Sequence, residues 1–142
     1  LRVAPHVWNL RSGRCFQALR SCFLAARGRL GLRLIHYSVL GNHLHLIVEA
    51  DGDAALSRGM QGLNIRLAKA LNRVMNVHGR VFGDHYHARL LGSPSELVNA
   101  IGYVLGNAAH HYGGRSGADP YSSAAPSAAG AICEPQTWLL RV

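Results

Sequence analysis

The stretch Val39-Leu40-Gly41-Asn42-His43-Leu44-His45-Leu46-Ile47-Val48-Glu49 decides the fold. Gly41-Asn42 is a tight-turn signal, and an alternating pattern follows it. Side chains on a strand point to opposite faces in turn, so residues two apart share a face. His43, His45, Ile47 and Glu49 therefore point one way. Leu44, Leu46 and Val48 point the other way, into an apolar core. Leu32 to Val39, on the near side of the turn, reads as a partner strand in an antiparallel hairpin. Two imidazoles side by side on a stiff strand make half of a metal site. Two histidines that simply hydrogen-bond to neighbours give the same pattern, and a lone His-x-His does not choose between these readings.

Working outward, His6-Val7-Trp8-Asn9-Leu10 reads as a first strand, and Arg11 to Arg14 as a polar turn. A helix is expected from Cys15 to Arg27, with Cys15, Leu19, Cys22, Phe23 and Ala26 as its apolar stripe. Gly28 and Gly31 close it. Beyond the hairpin, Asp51-Gly52-Asp53 is a turn with Asp53 as helix cap. A long helix then runs from Ala54 to Met75, burying Leu56, Met60, Leu63, Leu67, Leu71 and Val74. Asn76 to Gly79 is a loop. Arg80 to Leu91 reads as one bent strand or two short ones. Ser93-Pro94-Ser95-Glu96 starts the last long helix, with Ser93 as cap, Pro94 in the first turn and Glu96 completing a capping box. Leu97, Ile101, Val104, Leu105 and Ala108 form its core face. The order fits an α+β, ferredoxin-like sandwich, an antiparallel sheet with helices on one face. Residues 1–112 form the expected domain. Residues 113–142 follow as a Gly/Ser/Ala/Pro-rich loop or mobile segment, with Trp138-Leu139-Leu140 packing back on the core.

The 142 residues suit one domain, and 49% of them are hydrophobic, enough for a real core. Lys and Arg number 15 against 7 Asp and Glu, a formal charge of +8. Nearly all the cations are Arg, whose rigid fork of donors suits phosphate. Such a domain points to nucleic acid first and an anionic surface second, although a GC-rich coding bias produces the same excess. The 3 cysteines, Cys15, Cys22 and Cys133, argue against a disulfide framework or zinc ribbon. A reducing cytoplasm is the expected compartment. No apolar run approaches the ~20 residues that cross a bilayer. No secretory leader is visible.

Tyr103 and Asn107 lie four apart on the last helix, beside its core stripe, so one stands above the other. Tyr103 reads either as a half-buried cover of the sheet edge or as a nucleophile with Asn107 as an adjacent oxygen ligand. On the long helix Arg58, Arg66, Lys69 and Arg73 fall in one stripe, a solvated face or a track for phosphates. His85 and His87 form a second His-x-His, read as groups flanking DNA or as strand residues. Trp8, Phe82 and Tyr86 could stack bases. Tyr86, Tyr112 and Tyr121 are lesser nucleophile candidates.

Asn42-His43-Leu44-His45-Leu46-Ile47-Val48 resembles the histidine–hydrophobic–histidine motif of single-tyrosine HUH transposases, within them the REP-associated tyrosine transposases of the IS200-like superfamily. The order strengthens the resemblance: the motif strand, a long helix, Arg80-Val81-Phe82-Gly83-Asp84-His85-Tyr86-His87, then Tyr103-Val104-Leu105-Gly106-Asn107. It covers roughly Val3 to His111. Many relatives carry Asn-Pro where this chain has Asn107-Ala108, and tend to have Arg where His85 stands. The resemblance implies a divalent metal, Mg or Mn, held by His43, His45 and Asn107. It implies Tyr103 as the nucleophile that cleaves and rejoins single-stranded DNA through a 5′-phosphotyrosine. A phenol with an ordinary pKa near ~10 needs help to ionise, from the metal or a base such as His110. The implied partner is single-stranded DNA in hairpin or palindromic repeats, bound by a monomer or a homodimer. No membrane partner is expected.

Three other readings compete. A domesticated, non-catalytic binder of single-stranded or hairpin DNA keeps the fold and forms no covalent adduct. An unrelated metal-dependent hydrolase would use His43, His45 and His85 or His87, and would survive Tyr103→Phe. A plain RNA-binding module would show no metal dependence.

Overall fold

The computed structural model describes residues 1–29, 31–83, 85–113 and 117–141, leaving aside the side chains of residues 110, 140 and 141. Asp84 and the side chains of His110 and Leu140 therefore lie outside the described residues. Helix α1 spans Gly13–Ala26, strand β1 Leu32–Val39, strand β2 Leu44–Ala50, helix α2 Asp53–Met75 and helix α3 Pro94–Tyr112. A 3₁₀ turn, Pro126–Ala131, and the one-turn helix α4, Trp138–Arg141, complete the chain.

The hairpin forms as its sequence dictates. β1 and β2 pair antiparallel from Leu32 with Ala50 to Val39 with Leu44. The register slips by one between Leu34 and His36, leaving Ile35 as a bulge that resets which residues face which side. Next to β2, Arg2 bridges His43, and Val3 in turn bridges Phe82. The spatial order β1, β2, Arg2-Val3, Phe82 is that of a ferredoxin-like sheet, with Arg2-Val3 and Phe82 reduced to isolated bridges. The first pairing segment is thus Arg2-Val3 rather than His6 to Leu10, which forms turns. Pro5 lacks an N–H to donate and ends the pairing early. Likewise no strand runs through the described residues between Arg80 and Leu91; beyond the bridge at Phe82 they are irregular.

Each sheet face has its own cover. Leu34, Tyr37, Val39 and Leu44 pack with Cys15, Leu19, Cys22 and Phe23 of α1 and Leu63, Leu67, Leu71 and Met75 of α2. Here α2 approaches closely: a Cβ on Gly59 would stand 2.6 Å from the Leu32 Cβ. Asp53 is the first residue of α2 rather than its cap; Gly52 caps it, with no side-chain bond. On the opposite face Ile35 and Ile47 pack against Val104, with Ile101 and Leu105 beside them. The sandwich therefore has α1 and α2 on one face, as expected, and α3 alone on the other. The capping of α3 is as read, with the Glu96 N–H donating to Ser93 Oγ at 3.3 Å.

The small-residue segment after α3 is built into the molecule where it is described. It runs along the free edge of β1. The Val39 N–H donates to the Tyr121 carbonyl, the Ser123 N–H to that of Tyr37, and the Cys133 N–H to that of Leu34. Ala125, Ala128 and Ala131 are buried, because side chains this short let the segment lie close against α1 and the sheet. An edge covered this way cannot pair with another chain. Trp138 does not pack back: it is 67% exposed, while Leu139 lies beside Ile35, Leu97 and Ile101. Among the described residues, no helix is long and apolar enough to cross a membrane.

Candidate active site

The β2 face that α3 covers carries His43 and His45. Their rings stand edge to face, 4.9 Å between centroids. Across the gap, the His45 ring meets Tyr103 at 5.4 Å and the His43 ring meets His111 at 6.0 Å. Tyr103, Asn107 and His111 are successive steps of four on α3, so they form one stripe. Tyr103 lies over His45 and His111 over His43. Asn107 lies between them on the stripe, buried.

The polar atoms here are under-satisfied. Asn107 is 2% exposed and its Nδ2 has no hydrogen-bond partner among the described residues. Nor does His45 Nε2. Ser38 pairs with His45 across the hairpin and so shares its face; it is 1% exposed and its Oγ is also unpartnered. A buried polar atom left without a partner costs about 1–3 kcal/mol, so a cluster of three calls for a polar occupant. Tyr103 differs. It is 58% exposed, which leaves its hydroxyl open to a substrate.

Both histidines are shifted toward the neutral form. Burial holds the His43 imidazole down to about 4, helped by the positive charge of His45, Arg2 and His111. His45 is lowered in the same direction, again chiefly by burial. Neutral rings keep a nitrogen lone pair free for a metal. The Asn42 Oδ1 accepts from His43 Nδ1 at 2.7 Å, which fixes the proton there and leaves Nε2 to coordinate. Two imidazole nitrogens and one amide fit a divalent ion with open positions for substrate oxygens; the Asn107 amide would turn its oxygen to the ion. These donors suit Mn at least as well as Mg, which prefers an all-oxygen shell. Among the described residues, no three His, Cys, Asp or Glu side chains are grouped to hold a metal, so a metal ion here would take its third protein donor from the Asn107 amide.

The remaining sequence candidates are elsewhere. Arg58, Arg66, Lys69 and Arg73 lie on α2, across the sheet from the histidines; Arg58, Lys69 and Arg73 are exposed and Arg66 half-buried. His85 and His87 are exposed in the irregular segment, with no ring contact to His43 or His45. Tyr112 is tied to the hairpin turn: its hydroxyl oxygen accepts the Gly41 N–H at 2.8 Å. Tyr121 packs against Phe16 and under the Arg11 guanidinium. His111 is the residue the sequence reading passed over. Its signal was the continued spacing Tyr103, Asn107, His111 along one helix face. Ser38 and Arg2 join the site only through strand pairing.

No family model matches this chain, and neither does any curated protein or solved structure.

Proposed function

We propose that this chain is a metal-dependent enzyme that cleaves and rejoins single-stranded DNA through a tyrosine-linked intermediate. The observation that carries this reading is the exposed Tyr103 hydroxyl-bearing ring set against His45, above a buried group of unpartnered polar atoms from His45, Asn107 and Ser38. The ligand set would be His43, His45 and Asn107, holding Mg or Mn. Bound there, the ion would polarise the scissile phosphate and offset the charge that develops on it.

The chain's own residues do the rest. Tyr103 stands on a rigid helix, so its phenol oxygen is held at a fixed height over the histidine strand. That oxygen adds to phosphorus. The bond from phosphorus to the 3′ oxygen breaks, and the leaving 3′ oxygen takes up a proton while the phenol loses one. The product is a 5′-phosphotyrosine and a free 3′-hydroxyl. The covalent bond conserves the energy for rejoining without a nucleotide cofactor. The net charge of +8 supports binding of a polyanion.

The test is a denaturing gel after incubation with single-stranded hairpin DNA and Mn²⁺. A protein–DNA adduct is expected, absent from Tyr103→Phe and from His45→Ala. An adduct that persists in Tyr103→Phe would remove Tyr103 from the mechanism. Tight, salt-sensitive binding with no adduct from any hairpin tried would replace the enzyme by a non-catalytic DNA binder.

A further inference from the structure

Arg2 bridges His43 in a particular way. The Val3 N–H donates to the Asn42 carbonyl at 3.0 Å, and the Leu44 N–H donates to the Leu1 carbonyl at 2.7 Å. These bonds flank the Arg2–His43 pair, and Arg2 and His43 exchange none themselves. That is the non-hydrogen-bonded position of an antiparallel ladder, where facing side chains come closest and stand on the same face. On its other side Arg2 is held too, its carbonyl accepting the Gly83 N–H at 3.1 Å. The backbone of Arg2 is therefore fixed between two neighbours, with its side chain on the histidine face.

The Arg2 side chain is exposed, and its guanidinium makes no ion pair or hydrogen bond. The other well-placed arginines are in use: Arg11 pairs with Asp119 and Arg33 with Glu49 and Asp51. Among the described residues, no carboxylate forms an ion pair with Arg2. Its charge is felt at both His43 and His45. A free guanidinium in a fixed place, next to neutral imidazoles, is suited to two oxygens of one phosphate.

We propose that Arg2 is a substrate-binding residue whose guanidinium grips the non-bridging oxygens of a DNA phosphate lying over His43 and His45. The inference rests on the strand-cleavage reading for its substrate but needs neither the metal nor Tyr103. The phosphate would be held by Arg2 from the β2 side while Tyr103 approaches from α3. Arg2 thereby adds a permanent cation beside the imidazoles and the amide of the site.

The experiment uses the full chain, EDTA and a 20-nucleotide oligothymidylate, with affinity followed by fluorescence anisotropy over a range of salt. The ring signals of His43 and His45 are followed by NMR during the same titration. Arg2→Ala should weaken binding roughly tenfold or more, as expected for a lost charge-assisted bond. The salt slope should fall by about 0.7, the share of one phosphate on a single strand. The His43 ring shift should disappear. Arg2→Lys should restore the salt slope while recovering only part of the affinity, because an ammonium keeps the charge and loses the fork. The Arg2 side chain has no hydrogen-bond or ion-pair partner among the described residues to lose by substitution, so both variants should melt as the wild type does. Wild-type affinity and slope in Arg2→Ala, or unchanged histidine shifts, would overturn the proposal even if wild type forms the covalent adduct. The opposite pattern, Arg2-dependent phosphate binding with no adduct from wild type, would keep Arg2 and overturn strand cleavage instead.

Discussion

The His45 ring stands nearly perpendicular to that of Tyr103, at 82° and 5.4 Å between centroids. The contact joins the hairpin to α3 and sets the distance between a ligand-type nitrogen and a phenol. Edge-to-face pairing needs only the rings, so it is indifferent to the hydroxyl. Tyr103→Phe should therefore fold and melt like the wild type, within about 0.5 kcal/mol. The same variant should form no covalent DNA adduct. A melting temperature lowered by many degrees would mean that Tyr103 is a structural residue and that its hydroxyl is held by something in the fold.

Asn107 gives a prediction of opposite sign for stability and function. Its amide is buried, and Nδ2 has no partner among the described residues. Replacing an unsatisfied buried amide by an apolar group of similar size removes a penalty of about 1–3 kcal/mol. Asn107→Leu should raise the thermal midpoint of the metal-free protein by a few degrees. It should also abolish the rise in midpoint expected of the wild type with Mn²⁺, since binding to the folded state alone would give that rise. Calorimetry with EDTA and with Mn²⁺ reads both. A variant less stable than wild type without metal would show that Asn107 is satisfied after all.

How much of this was legible beforehand varies by element. The hairpin was, because Gly41-Asn42 and the alternation after it are local signals. So were α1, α2 and α3, whose stripes repeat over several turns. The first strand was misplaced: the apolar and aromatic residues Val7, Trp8 and Leu10 outweighed Pro5, and the true pairing of Arg2 and Val3 is too short to leave a pattern. The strand expected over Arg80 to Leu91 was overread, since among its described residues only Phe82 pairs. The small-residue segment after α3 looked loose because nothing in it is periodic. Its order comes from β1, whose free edge offers carbonyls and N–H groups that only a close-lying chain can reach. In the site, His43, His45, Tyr103 and Asn107 could be named from spacing. That Arg58, Arg66, Lys69 and Arg73 lie across the sheet could not, because periodicity gives a face of α2 and not which side of the sheet it covers.

The hairpin turn is held from α3. Tyr112 accepts the Gly41 N–H, and the Arg11 guanidinium lies 4.7 Å from the centre of its ring. Arg11 is itself fixed by Asp119 and by the Val39 carbonyl. One residue beyond Gly41, Asn42 orients His43. Tyr112→Phe keeps the ring under Arg11 and removes the bond to the turn. It should cost about 1 kcal/mol of stability. Mn²⁺ affinity should fall about tenfold, the lower end for loss of an outer support of a metal ligand. Isothermal titration with Mn²⁺ measures it, and unchanged affinity would separate the turn from the site.

Glu49 lies on the same strand as the histidines, at its far end, and makes the fold sensitive to acid. It is buried and accepts from Arg33 Nε at 3.0 Å, the Gln136 N–H at 2.9 Å, the Thr137 N–H at 3.1 Å and the Thr137 hydroxyl. Burial by itself would raise its pKa, but the bonds from Thr137, Gln136 and Arg33 outweigh burial and hold the carboxyl near about 2, against an ordinary 4.5. As pH falls, the unfolded chain therefore takes up this proton first. The stabilisation from Glu49 is complete above about 4.5 and is lost as pH drops from there towards about 2. Glu49→Gln leaves Arg33 without its buried partner and should cost about 3 kcal/mol near neutral pH. Over the acid window its stability should fall less steeply than that of the wild type. Urea unfolding at a series of pH values from neutral to strongly acid compares the two slopes. Parallel slopes would mean that the proton is taken up by some other group, and that the ladder of bonds to Thr137 and Gln136 is not what ties the chain's last segment to β2.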